Sequence, residues 1–125
     1  MKSVKVDIFT ALKASTTLLA LVGSDTSGIK QIFSAYPAST AVYPCVGFYR
    51  ISGQAGTVDG KISKNKDELY SIDVFSKSMT TAEDIEMAID DAMNTLDYVI
   101  TAEHASDLFE ETTKIHHKPL RYRFK

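Results

Sequence analysis

Apolar residues return at helical spacing in two stretches and in strand-like runs elsewhere, and that change of period lays out the chain. Val4, Ile8, Leu12, Leu19 and Val22 recur on one helical face, with Ser15 in the single gap and Ala11, Leu18 and Leu21 widening the stripe. The pattern predicts an amphipathic helix that starts at Ser3 as N-cap and ends at Gly23, just past the C-cap. A lone helix this short is marginal in water, so its stripe belongs to a core. A second stripe comprises Ile85, Ile89, Met93 and Leu96, flanked by Ala82, Ala88 and Ala92. Thr80-Thr81-Ala82-Glu83 precedes it as a capping box, with Thr80 as cap and Glu83 reaching back. This helix is expected to end between Leu96 and Ile100.

Between and after the helices the signals are those of strands. Residues 29–33 suit a short edge strand, and 36–43, with Pro37 and small side chains, read as irregular. Pro44 opens 45–51, rich in β-branched and aromatic residues. In 69–75, Tyr70, Ile72 and Val74 share one face and Ser71 and Asp73 the other. Leu120, Tyr122 and Phe124 alternate with Arg121, Arg123 and Lys125, giving a strand with an apolar and a basic face, with Pro119 at its start or at a bulge and a further strand within 108–115. Residues 52–67 hold Gly53, Gly56 and Gly60 and almost no large apolar side chain, so they cannot form core. They join two strands as a long arm or loop at a hairpin tip, longer than compact domains normally use. The expected fold is α+β: a mostly antiparallel sheet with two helices packed on one face and a long hairpin arm, in a single domain spanning 1–125.

Composition narrows the function. The 125 residues are 44% hydrophobic and 24% charged, the profile of a globular chain. The formal net charge of -2 predicts no general attraction to nucleic acid or membrane. Cys45 is the single cysteine, flanked by Pro44 and Val46, which excludes an internal disulfide and reads as a buried structural thiol in a reducing compartment. The apolar run 18–22 is too short to span a bilayer, and Asp7 and Lys13 interrupt any signal-peptide pattern, so the expectation is a protein cytosolic in the cell that makes it.

Charge is sorted along the chain. Residues 78–113 carry ten carboxylates and no lysine or arginine, whereas 114–125 carry five basic residues, two histidines and no carboxylate. Two opposite patches on a nearly neutral protein suit head-to-tail self-association.

Catalytic signatures are missing. Gly53-x-x-Gly56-x-x-x-Gly60 is neither a dinucleotide fingerprint nor a phosphate loop, since Gly60-Lys61 is followed by Ile62. His116 and His117 are neighbours on a strand and point to opposite faces, so they do not share a metal. His104 with Glu103 and Asp107 offers only a partial ligand set. Asp90-Asp91 and Glu110-Glu111 read as solvated acidic faces, because acid–base pairs need two environments that separate their pKa values. In Arg121-Tyr122-Arg123-Phe124 the cations and rings fall on opposite strand faces, which does not suit direct nucleic-acid binding.

The order of elements carries a resemblance. A helix with a Leu-rich end at Leu12 to Val22 leads to a Gly-bounded loop, a short Ile32-Phe33 strand and a Tyr43-Pro44 step into the next strand. A polar loop, Ile72-Asp73-Val74-Phe75-Ser76 and an acidic helix follow, and the chain closes on His116-His117-Lys118-Pro119-Leu120-Arg121-Tyr122-Arg123-Phe124. This resembles the tail completion, or tail terminator, proteins of long-tailed bacteriophages and prophages, also described as head–tail joining proteins. The resemblance implies a structural virion protein, typically a hexameric ring, that caps the tail tube and docks it to the head connector. It implies no cofactor and no enzymatic activity, partners limited to itself, the tail tube protein and the connector, and a place in the virion after assembly in the host cytoplasm.

Site residues follow from charge. The acidic helix of one subunit (Glu83, Glu86, Asp90, Asp97) is expected to face the basic strand of the next (Arg121, Arg123, Lys125). The arm, through Gly53, Gly56, Gly60, Lys61, Lys64 and Lys66, is expected to contact the tail tube or connector. Two other readings stay open: another neck or minor capsid component of the same phage class, and a small cytosolic adaptor whose acidic face binds a basic partner.

Overall fold

The computed structural model describes residues 4–24, 26–34, 42–58, 61–98 and 100–124, with the backbone alone at 52–58, 61–67 and 104. The N-terminal stripe forms two helices, α1 (Val4–Ala14) and α2 (Thr16–Leu21), where one was expected. The gap residue Ser15 is the break. Its backbone is extended and its hydroxyl accepts from the Leu18 amide at 3.2 Å, capping α2. Ser3 lies outside the described residues. Replacing Ser15 with alanine is expected to cost about 1 kcal/mol, read from the urea midpoint; an unchanged midpoint would mean that packing alone sets the break.

Gly23 does not end α2 in a left-handed turn. Val22 is already extended (ψ 153°). The Gly23 amide donates to the Pro44 carbonyl at 2.8 Å, and its own carbonyl accepts from Gln31 at 3.0 Å. A Cβ there would stand 3.1 Å from the Tyr43 carbonyl oxygen, so glycine serves close backbone approach. Next come β1 (Ile32–Phe33) and β2 (Cys45–Val58), which pair in parallel, entered through a cis Tyr43–Pro44 peptide.

The arm or loop expected at 52–67 is an arm, largely a continuation of the flanking strands. β2 runs antiparallel to β3 (Lys61–Ser76), and the ladder reaches Val58 opposite Lys61, with register shifts after Arg50 and after Ala55. The arm is thus a two-stranded ribbon.

Helix α3 (Met79–Met93) begins two residues earlier than expected and ends short of Leu96. Ser78, not Thr80, is the N-cap, accepting from the Thr81 amide at 3.4 Å, and Glu83 takes no part. β4 (Ile100–Ala105), β5 (Leu108–Glu110) and β6 (Ile115–Phe124) complete the chain. The sheet order is β1-β2-β3-β6-β4, and β5 pairs β6 beside β4, so β6 has β3 on one side and β4 and β5 on the other.

The fold is α+β with a mostly antiparallel six-stranded sheet and, among the described residues, three helices. Period-two alternation sends Val46, Phe48, Tyr70, Ile72, Val74, Leu120, Tyr122 and Phe124 to one face. There they pack with Ile8, Leu12, Leu18, Ile85, Ile89 and Met93 of the helices. On the opposite face, Ser71 and Asp73 of β3 are each only 1% exposed, and Cys45 beside them is fully buried.

Candidate assembly surfaces

The charged residues singled out in the sequence fall on two sides of the sheet. On α3, Glu83 is exposed and Glu86 half-buried; Asp90 is exposed, as is Asp97 beyond the helix end. Arg121 and Arg123 alternate with core residues of β6 and therefore project from the face opposite α3. Arg121 is exposed, and Arg123 grips Glu103 of β4, with Nη2 donating to Oε2 at 3.2 Å and Nε to Oε1. Lys125 and Gly60 lie outside the described residues. Gly53 and Gly56 sit on the β2 side of the arm, and Lys61, Lys64 and Lys66 on the β3 side.

Sequence reasoning missed that part of the acidic stripe is already claimed within the subunit. Lys118 shares the buried face of β6 with Leu120 and Tyr122 and is only 4% exposed. Its Nζ lies 3.3 Å from Glu86 and also donates to Asp107, in the link between β4 and β5. The Tyr122 hydroxyl donates to Asp90. The signal was present: a lysine in phase with the apolar side of the strand needs an anion from whatever covers that side.

These contacts govern alkaline behaviour. Burial alone would lower the Lys118 pKa, but its hydrogen bonds to Asp107 and Glu86 outweigh that and hold it above the ordinary lysine value of 10.5. Burial, then the bond to Asp90, pushes the Tyr122 hydroxyl up from 10.0. Burial, then a 2.5 Å bond to Asp7, pushes Tyr98 up to about 12. The folded chain therefore holds these protons more tightly than the unfolded chain. Their contribution to stability is complete below the unfolded values of 10.0 and 10.5 and is lost as pH rises through the higher folded values. The expected result is a urea midpoint that is flat around neutrality and falls steeply above about pH 10. A midpoint constant through that range would show that the three groups are not held as described.

The buried polar strip on the second face has the residue types of a nucleophilic triad in the wrong order. Asp73 accepts from the Ser71 hydroxyl and lies 3.0 Å from His117 Nε2, while His117 stacks on Phe75 at 4.3 Å between ring centres. An activated serine needs the imidazole between hydroxyl and carboxylate. Here the carboxylate is in the middle, so Ser71 loses its proton to nothing stronger than Asp73. His116 faces the other way, 4.7 Å from the Phe109 ring, with Nδ1 buried and without a partner among the described residues. Burial pushes the Cys45 thiol up to about 12, which keeps it protonated and unreactive at neutral pH. A cleft of about 630 Å³ beside the start of α3 is lined by Val42, Tyr43, Pro44, Ser76, Lys77, Ser78 and Thr81, with neither carboxylate nor histidine. Among the described residues no group of three or more His, Cys, Asp or Glu could hold a metal ion, and no helix is long and apolar enough to cross a membrane.

The family described as "Tail completion protein gp17" matches residues 6–125. Among solved structures, a chain from "Virion of native gene transfer agent (GTA) particle" superposes with a TM-score of 0.77, at 17% identity, over 98% of this chain and 92% of that one. No curated protein matches by sequence.

Proposed function

Because the chain belongs to the tail completion protein gp17 family, a family of structural proteins of phage virions, we propose that it closes the tail tube with a ring and joins the tail to the head connector. The ring is a homo-oligomer, six subunits in the expected form, built in the host cytoplasm and carried into the virion. The protein performs no catalysis in this reading. Its partners are copies of itself, the tail tube protein and the connector.

One observation carries the reading. The exposed acidic residues of α3 and the arginines of β6 stand on opposite faces of the same sheet, too far around the subunit to meet each other. A contact that joins unlike patches is heterologous, and such contacts close into rings when the rotation fits. Among the described residues Arg121 is the basic contributor left exposed, since Arg123 already holds Glu103. On the acidic side Glu83 and Asp97 are the exposed members that no β6 residue engages.

The test is genetic and structural. In a producing strain with this gene deleted, electron microscopy is expected to show tails of irregular length and heads without tails, both corrected by the wild-type gene. Normal joined particles without the protein would sink the proposal. Arg121→Glu is expected to reduce joined particles and to be rescued in part by Glu83→Lys on the same chain.

A further inference from the structure

Strand β5 (Leu108–Glu110) is exposed along its whole length, with Leu108 51% and Phe109 48% exposed. It lies on the outer side of β6, so its far edge carries backbone donors and acceptors that no described strand pairs. Proteins usually blunt such edges with charge, proline or cover, and a bare apolar edge strand is either an aggregation hazard or a docking site. Here the apolar pair is rimmed by Asp107, Glu110 and Glu111. An occupant that suits both features is an extended basic segment adding as a strand.

The chain itself supplies such a segment. The arm is a ribbon of paired strands whose β3 side carries Lys61, Lys64 and Lys66. It cannot reach β5 of its own subunit. The arm leaves the sheet beyond Glu68, which pairs with Phe124 at one end of β6, whereas Phe109 pairs with His116 near the other. At about 3.3 Å per residue the two ends are about 25 Å apart, and the arm points away from β5. Donor and acceptor therefore occupy opposite ends of one sheet, an arrangement satisfied only by a second copy.

We propose that the arm of one subunit docks through its β3 side by strand addition on the exposed β5 edge of the next, Leu108 and Phe109 supplying the apolar contact and Glu110 and Glu111 receiving the arm lysines. This assigns the arm to the neighbouring subunit and not to the tail tube. It rests on the self-association proposed above, and its test separates the two.

Two full-length variants are made, Phe109→Cys and, on the lysine-bearing β3 side of the arm, Ser63→Cys, one of them carrying a tag that separates it by mass. Cys45 is buried and stays silent. Each is oxidised alone and mixed, with oligomeric state followed by light scattering. The expected result is a disulfide-linked dimer containing one chain of each kind in the mixture, and no covalent dimer from either variant alone. High salt or Glu110→Lys with Glu111→Lys is expected to abolish the crosslink. Assembly without a mixed crosslink overturns arm docking and leaves the ring intact. A Phe109→Cys homodimer overturns it too, since the edges would then pair with each other, and so does capture of Phe109→Cys by co-expressed tail tube protein. Monomers without a crosslink at the highest attainable concentration overturn it, and the ring then stands or falls on the particle assay.

Discussion

Phe124→Ala is expected to cost about 3–5 kcal/mol, enough to lower the thermal midpoint by about 10 °C or more. Phe124 is 1% exposed and closes the core where β6 meets the base of the arm. Its ring meets Tyr70 edge-on at 5.7 Å and Tyr98 edge-on at 5.8 Å, geometries that add to the burial itself. Removing it leaves a void lined by two aromatic faces that cannot collapse, because Tyr98 is tethered to Asp7 of α1. Phe124→Leu keeps most of the volume and should lose only about 1–2 kcal/mol. Chemical denaturation of both variants decides. A loss below about 1 kcal/mol for the alanine variant would mean that this end of β6 is not packed in the core.

The second large effect is an asymmetry. Neutralising both anions around Lys118, as Glu86→Gln with Asp107→Asn, is expected to destabilise the fold by about 3–5 kcal/mol, because it strands a buried ammonium. Removing the cation, as Lys118→Met, should cost far less, about 1 kcal/mol or nothing. The reason is exposure. The Lys118 side chain is 6% exposed, while those of Glu86 and Asp107 are 31% and 61% exposed and fall back on water when the lysine is gone. Urea unfolding of the two variants tests it, and equal losses would refute the asymmetry. The single Asp107→Asn change should fall between, since Glu86 remains.

How far the sequence could be read depended on whether a signal was local. The alternation at 120–124 and the stripe through Ile85, Ile89 and Met93 are decided by burial on one face, and both elements formed where the periodicity put them. The split at Ser15 was visible as a gap in a stripe, but whether a gap becomes a break depends on how α2 must turn to lie against α3. The capping box failed because Ser78 competes with Thr80 for the same role, and the choice rests on the preceding strand, which delivers the chain two residues earlier. The arm was legible as a long projection at a hairpin tip, but its strand pairing was not: glycine and lysine argue against a core, and the ribbon has none to form, being held by its own backbone ladder. The charged surfaces were half legible. Arg121 and Arg123 could be placed on one face from period two alone. Nothing local told that Glu86 and Asp90 would be drawn down to Lys118 and Tyr122, because those partners are 32 residues apart in chain order and meet only once α3 crosses the sheet.

The position of β6 has a consequence for how the protein is made. It is the last strand in chain order and sits inside the sheet, between β3 on one side and β4 and β5 on the other. Until residues 115–124 have left the ribosome, β3 lacks one neighbour, β4 and β5 have none, and α3 has half a floor. Contacts between distant parts of a chain form late and slowly, and here they complete the core. The sheet therefore closes only once its last ten-residue strand is in place.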